Sequence, residues 1–215
     1  IGTGVIGTAT AFEMAKAGWK TLSMDRNAQI GHGSTAGSCA IIRMHYSTFD
    51  GTAFAWEGYH YWRDWADYLG LPSETALATF KECGCLVMRT EGNGYLDKHL
   101  ENSRDLHIPV EEWDATRIEE QLSIYALDSY APPKRTDDDC FGLSNGGRIR
   151  GGLYWPNGGY VTDPQITSYH IINGTIVNID TIQDKNIKYD MNKQRILSGT
   201  RLIPTINGNL VIVSS

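Results

Sequence analysis

Four cysteines in 215 residues are too few and too scattered for a disulfide framework. Cys39, Cys83, Cys85 and Cys140 form no C-x-x-C pair and no zinc spacing, so "CGC" at 83–85 reads as alternation along a strand. Cationic residues are also short. Lys and Arg number 19 against 25 Asp and Glu, a formal net charge of −6. A nucleic-acid partner, which requires a basic face, is therefore not expected. No apolar run reaches membrane-spanning length and no signal-peptide pattern occurs, so neither a membrane partner nor a secretory route is expected. A cytoplasmic, reducing setting follows, and the glycosylation-like triplet at Asn173 reads as chance. What remains is an ordinary globular composition, 41% hydrophobic and 20% charged. The length suits one large domain or two small interleaved ones.

Punctuation along the chain divides it into elements. "TATAFEMAKAGWK" predicts a helix packed through Phe12, Met14 and Ala15 and stopped at Gly18. "TLSMD" predicts a short buried strand ending at Asp25, and Ala40 to Ile42 is a short apolar run. From Thr52 to Leu69 one helix is expected, with Ala55, Tyr59, Trp62, Ala66 and Leu69 on one stripe and Glu57, His60, Asp64 and Asp67 on another. Its aromatic density reads as core rather than as a cofactor cage. "ECGCLVMR" predicts a strand, "YLDKHLENSRDLH" a helix, and Asp114 a cap on "DATRIEEQL". "APPKRTDDD" reads as a solvated loop, and Asn157-Gly158-Gly159 as a hairpin or tight corner. Pro164 starts a helix that does not develop; beyond Asn173 short β-like runs alternate with Asn-Gly and Ser-Gly turns.

The chemistry is concentrated near the start. Gly2, Gly4 and Gly7 spell G-x-G-x-x-G ahead of the first helix. Gly2 permits a tight turn, Gly4 lets a pyrophosphate approach, and Gly7 lets the helix pack closely, with small Ala11 following on the same face. The loop reads as a cofactor cradle through Gly2, Gly4, Ile6 and Gly7. Asp25 stands 23 positions after Gly2, where an acid binds a ribose diol and repels a 2′-phosphate. This unit by itself fits a flavin or a nicotinamide dinucleotide.

"GHGSTAGSCAIIRMHYS", "GCLVMR" and "GGLYWPNGGYVTDPQ" extend the pattern. Together with the glycine loop they resemble the FAD-dependent D-amino-acid oxidase (DAO) superfamily, most closely its sarcosine oxidase and dimethylglycine dehydrogenase branch, over Ile1 to Gln165. The resemblance implies an α/β chain, α+β overall. A Rossmann-like βαβ unit would bind FAD, interleaved with a mixed-sheet substrate domain, and the fold would be incomplete at both ends. The implied divisions are 1–78 for the first part of the FAD domain, 79–160 for a substrate-domain segment and 161–215 for an atypical β-rich return.

Residue by residue, the resemblance implies that Gly2, Gly4 and Gly7 hold the pyrophosphate, Asp25 the ribose and Arg26 the surroundings of the adenine. Gly33, Ser34, Thr35 and Ser38 would lie near the phosphates and the flavin ring. Arg43 would bind the substrate carboxylate and Tyr46 would flank the flavin pocket. A planar guanidinium suits that task because it donates two parallel hydrogen bonds. Without the resemblance Arg43 reads as an ion-pair residue, His45 as hydrogen-bonded structure and Cys39 as a small hydrophobe. The implied reaction takes a small amino acid or N-methylated amine, bound neutral, and passes a hydride equivalent to the flavin. The resulting imine is hydrolysed.

With its first strand reduced to Ile1, the chain reads as a piece of such an enzyme and is expected to bind FAD poorly by itself. Two alternatives stand beside this reading: a nicotinamide-dependent dehydrogenase, and a non-catalytic remnant of the flavoenzyme.

Overall fold

The computed structural model describes residues 1–27, 29–71, 77–90, 92–165, 167–168, 189–190, 195–196, 200–204 and 210–214, the last four segments by backbone. Asn173 lies outside them. The chain forms two compact units, one of residues 1–41, 63–81 and 161–215, the other of 42–62 and 82–160.

In the first unit, α1 (Val5–Lys16) begins after extended Gly4 and ends at Ala17. Gly18, at φ +85°, donates to the Ala15 carbonyl, and Trp19 donates to that of Met14. Two orphan carbonyls are thus satisfied by the left-handed glycine stop that the sequence announces. The buried face is Thr8, Ala11 and Phe12, whereas Met14 is 43% exposed. The expected face was wrong at Met14 because that residue lies two positions past Phe12, on the far side of a 3.6-residue turn.

Strand β1 (Ser23–Asp25) runs parallel to β11 (Leu210–Ser214), pairing Met24 with Ile212. The sheet continues antiparallel through β10 (Thr200–Pro204), β9 (Arg195–Ile196) and β8 (Tyr189–Asp190). At the other edge of β1, Gly2 N–H donates to the Met24 carbonyl at 2.6 Å, so the loop begins against the strand that ends in Asp25. Val161 and Thr162 donate to the carbonyls of Ala40 and Thr79, seating the end of β7 (Gly159–Val161) between two neighbouring backbone segments.

The helix expected over 52–69 is two helices, α2 (Phe49–Arg63) in the second unit and α3 (Trp65–Leu69) in the first. Between them Asp64 leaves helical backbone at φ −105°, ψ 43°, and its carboxylate takes the Arg63 guanidinium at 2.7 Å. A short acidic side chain that competes for local hydrogen bonds supports helix interiors poorly. The expected stripe survives the break, since Tyr59 and Leu69 are buried while Glu57 and Asp67 are exposed. In the first unit the Phe12 and Trp65 rings pack on Tyr68 at 5.2 and 5.5 Å, and Lys16 Nζ lies over the first two rings of that stack, Phe12 and Tyr68.

The second unit is built on an antiparallel sheet ordered β4 (Cys85–Met88), β6 (Gly151–Trp155), β5 (Glu111–Asp114). β6 lies in the middle, and its Gly151 and Gly152 are sterically required. A Cβ there would stand 2.3 Å from the Trp113 carbonyl oxygen and 2.6 Å from that of Val87. Leu153 and Trp155 are fully buried, and the Trp155 indole donates to Ser103 Oγ, on α4 (Leu96–Asp105), at 3.0 Å. Since β6 pairs with β4 and β5, Asn157-Gly158-Gly159 is a corner and not a hairpin turn. Cys83 lies before β4, separated from Cys85 by Gly84 at φ +81°, so the two do not alternate within a strand; all four thiols are free.

Asp114 caps α5 (Ala115–Gln121) as expected, accepting from Arg117 N–H at 2.8 Å. Asp114→Ala is expected to lower the stability of this unit by about 1 kcal/mol, and Asp114→Asn to keep most of it, measured as denaturant midpoints.

Candidate functional site

The glycine loop makes the tight turn and the close helix packing its spacing suggests, the packing with a different partner. Gly2 sits at φ +96°, a conformation that side chains resist. A Cβ on Gly7 would fall 2.0 Å from the Gly2 carbonyl oxygen, so the first turn of α1 is pressed against the loop itself. A Cβ on Gly4 would meet Thr35 Oγ1 at 2.9 Å. That hydroxyl accepts the Val5 N–H at 3.0 Å and so caps the helix from 30 residues away. The other first-turn amides, of Gly4, Ile6 and Gly7, have no acceptor within the helix and carry the positive end of its dipole.

Asp25 closes the loop from below. Its Oδ2 accepts Thr3 N–H at 2.6 Å and the Thr3 hydroxyl at 3.0 Å, and its Oδ1 accepts Asn27 N–H at 2.8 Å. Partial burial works to raise its pKa. The amides of Asn27, Thr3 and Arg26 and the Thr3 hydroxyl outweigh that and hold the carboxyl below its ordinary 3.8. An ionised acceptor with one oxygen still partly open therefore stands at the end of β1.

A groove of about 390 Å³ opens here, lined by Ile1, Gly2, Gly4, Asp25, Arg26, Asn27, Gly33, Ser34 and Thr35. Most of the residues assigned to a cofactor from the sequence are thus brought together. Three are not: Ile6 is 82% exposed on the first turn, Gly7 is pressed against the Gly2 carbonyl, and the Ser38 hydroxyl is occupied by the Ala40 N–H at 2.9 Å, so none of them lines the groove. Thr3 and Asn27 were missed; a hydroxyl inside the glycine loop, facing a strand-terminal acid, was the available signal for Thr3. Helix-start amides without acceptors among the described residues, glycines where a side chain would block approach, and an ionised acceptor at the strand end fit a diphosphate-bearing dinucleotide.

In the second unit, Arg43 and Tyr46 come together. The exposed guanidinium lies 4.9 Å over the Tyr46 ring, and among the described residues it has no ion-pair partner. Between them Met44 and His45 turn inward, 0% and 4% exposed. His45 stacks on Trp155 at 4.2 Å, and its ring centre is 5.7 Å from that of His99. Neither histidine Nδ1 has a hydrogen-bond partner among the described residues. Burial first, then the positive charge of Arg43 and then His99, depress the His45 pKa to about 4. Burial and Arg43 lower that of His99 as well, and burial raises the Cys85 thiol. His45, His99 and the Cys85 thiol are therefore neutral at pH 7 and offer the Arg43 charge no counter-ion.

A larger cleft of about 630 Å³ in the same unit runs past Arg89, Glu112, Trp113, Arg148 and Arg150. Arg89 pairs with Asp97, Glu112 with Arg104 and Arg148 with Glu119, so most of its charge is spent on surface ion pairs. Among the described residues no group of three or more metal-ligating side chains occurs, and no helix is long and apolar enough to cross a membrane.

Solved structures of the same fold include the following three. Glycine oxidase from Geobacillus kaustophilus aligns with a TM-score of 0.60 at 18% identity, over 100% of this chain and 51% of that one. L-proline dehydrogenase from P. horikoshii gives 0.61 at 17%, over 99% and 49%. L-amino acid deaminase from Proteus vulgaris gives 0.57 at 12%, over 100% and 44%. At such identities the likeness shows fold alone, a mixed α/β arrangement, and the chain spans about half the length of these structures. No curated protein matches the chain. The family profile described as DAO, FAD dependent oxidoreductase, matches residues 1–169. That span holds the glycine loop, Asp25 and the Arg43–Tyr46 pair, and the chain belongs to this FAD-dependent oxidoreductase family.

Proposed function

We propose that the chain binds FAD in the groove over its glycine loop and presents Arg43 to the carboxylate of a small amino acid whose C–N bond is oxidised. Within that class, a secondary or tertiary amine such as sarcosine or dimethylglycine is favoured. The observation that carries the reading is the Arg43 guanidinium, exposed, unpaired among the described residues and held over Tyr46. Buried neutral histidines behind it leave a carboxylate as its natural counter-charge. The solved structures of like fold support the amino-acid class, since they are named for glycine, L-proline and L-amino acids.

Bound FAD supplies the capacity to accept a hydride equivalent. The protein's part is to fix the cofactor and the substrate. Loop and first-turn amides would face the diphosphate, Arg26 would lie beside the adenine, and the remaining acceptor position on Asp25 Oδ1 would take one ribose hydroxyl. Arg43 would orient the substrate through two parallel hydrogen bonds, and the Tyr46 face would limit the guanidinium's freedom. Fixing the carboxylate in this way brings the carbon beside nitrogen into a reproducible position, the entropic part of the catalysis.

The test is loading with FAD followed by sarcosine, dimethylglycine, glycine and proline under dye reduction. Turnover of a carboxylate-bearing amine is expected. Arg43→Ala should lower kcat/KM by roughly 10- to 100-fold, the worth of hydrogen bonds to a charged group, while Arg43→Lys should lose less. Equal loss on dimethylamine, which has no carboxylate, would remove Arg43 from this role. FAD binding without turnover of any amine would leave a cofactor-binding piece and no enzyme.

A further inference from the structure

The segment that carries Arg43 and Tyr46 has no helix or strand bonds of its own over residues 43–46. Its backbone polar groups must find other partners or be left unpaired next to a buried core. At Tyr46 two side chains provide them. Thr52, on α2, accepts the Tyr46 N–H at 3.3 Å, and its single hydroxyl proton lies within reach of the Tyr46 carbonyl at 3.1 Å and that of Thr48 at 3.0 Å. Asn102, on α4, donates through Nδ2 to the same Tyr46 carbonyl at 3.2 Å. These residues are 0% and 1% exposed. Burying a hydroxyl and an amide is costly unless they are hydrogen-bonded; here the Thr52 hydroxyl and Asn102 Nδ2 direct their bonds to one residue of an irregular loop, while Asn102 Oδ1 has no partner among the described residues. Stacking of His45 on Trp155 pins the neighbouring residue inward, so the Tyr46 backbone has little freedom left.

We propose that Thr52 and Asn102 are positioning residues. By holding the N–H and the carbonyl of Tyr46 they fix the ring over which the Arg43 guanidinium lies, and thereby the direction in which that guanidinium meets a carboxylate. The inference rests on the reading of Arg43 given above.

The test uses the FAD-loaded chain and methoxyacetate, a carboxylate of sarcosine shape without the amine, titrated calorimetrically. Amide exchange at Tyr46 is followed in parallel. Thr52→Val keeps the shape and removes the hydroxyl. It is expected to speed Tyr46 exchange and to weaken methoxyacetate binding, each by about 10-fold. Thr52→Ser is expected to restore both, and Asn102→Ala to weaken binding in the same direction. In an Arg43→Ala background, Thr52→Val should change methoxyacetate affinity no further, because its effect passes through Arg43.

Thr52→Val without effect on either readout, or an equal loss in the Arg43→Ala background, overturns the inference. So does failure of Thr52→Ser to restore the values. Should Arg43→Ala itself leave methoxyacetate affinity unchanged, the carboxylate reading fails and takes this inference with it. An effect of Arg43→Ala with none of Thr52→Val counts against the positioning role alone.

Discussion

Gly7→Ala is expected to weaken FAD binding by about 100-fold or more, equivalent to about 3 kcal/mol, and to destabilise the first unit as well. The added Cβ would stand 2.0 Å from the Gly2 carbonyl oxygen and 2.9 Å from the Gly2 carbonyl carbon. Both are backbone atoms of a residue already fixed at φ +96°, so neither can yield without undoing the turn. The helix must move instead, carrying the amides of Ile6 and Gly7 away from the groove and straining the cap from Thr35. Gly4→Ala meets a side-chain atom, Thr35 Oγ1 at 2.9 Å, which can rotate at the expense of its bond to Val5. Its effect should be that of a lost cap, about 1 kcal/mol. Gly58→Ala serves as the opposite control. It lies within α2 with nothing near the new Cβ, and should stabilise by about 0.5–1 kcal/mol through reduced backbone entropy. Melting temperatures and FAD titration of the three variants check the ranking. Gly7→Ala binding FAD as tightly as the unaltered chain would mean that the loop is not where the cofactor rests.

The features legible in the sequence are those whose physics is local. The left-handed stop at Gly18, the cap at Asp114 and the glycine spacing at the start of α1 each need only neighbouring residues to act, and each stands where it was expected. Features that depend on distant partners were not legible. Thr35 was assigned to a cofactor, yet its hydroxyl caps Val5 across 30 positions, a pairing with no periodic signature. Thr52 and Asn102 sit on helices whose polar residues ordinarily face solvent, so their burial against Tyr46 could not be read from a stripe. The parallel pairing of Met24 with Ile212 joins segments nearly the length of the chain apart. The helix break at Asp64 carries no glycine or proline to announce it.

His45 provides the second large effect. Stability is expected to fall by about 3 kcal/mol between pH 7.5 and pH 4, a melting-temperature decrease of about 6–12 °C. In the unfolded chain the imidazole takes up a proton near its ordinary 6.5, whereas in the folded unit it does so only at about 4. Between those values the unfolded state binds more protons, so the contribution is complete above 6.5 and is lost as pH falls toward 4. At about 1.4 kcal/mol per pH unit, the interval gives the figure above. Burial is the first cause, and the Arg43 charge and His99 work in the same direction. His99, lowered for related reasons, adds to the slope, while Asp25 loses its contribution only below 3.8 and so outside this window. His45→Phe keeps an aromatic ring against Trp155 and removes the proton site. The acid limb of its melting curve between pH 6.5 and 4 should flatten to the smaller slope left by His99. An acid limb as steep in His45→Phe as in the unaltered chain would mean that the ring behind Arg43 is already accessible to water, and that the neutral surroundings assigned to the guanidinium do not exist.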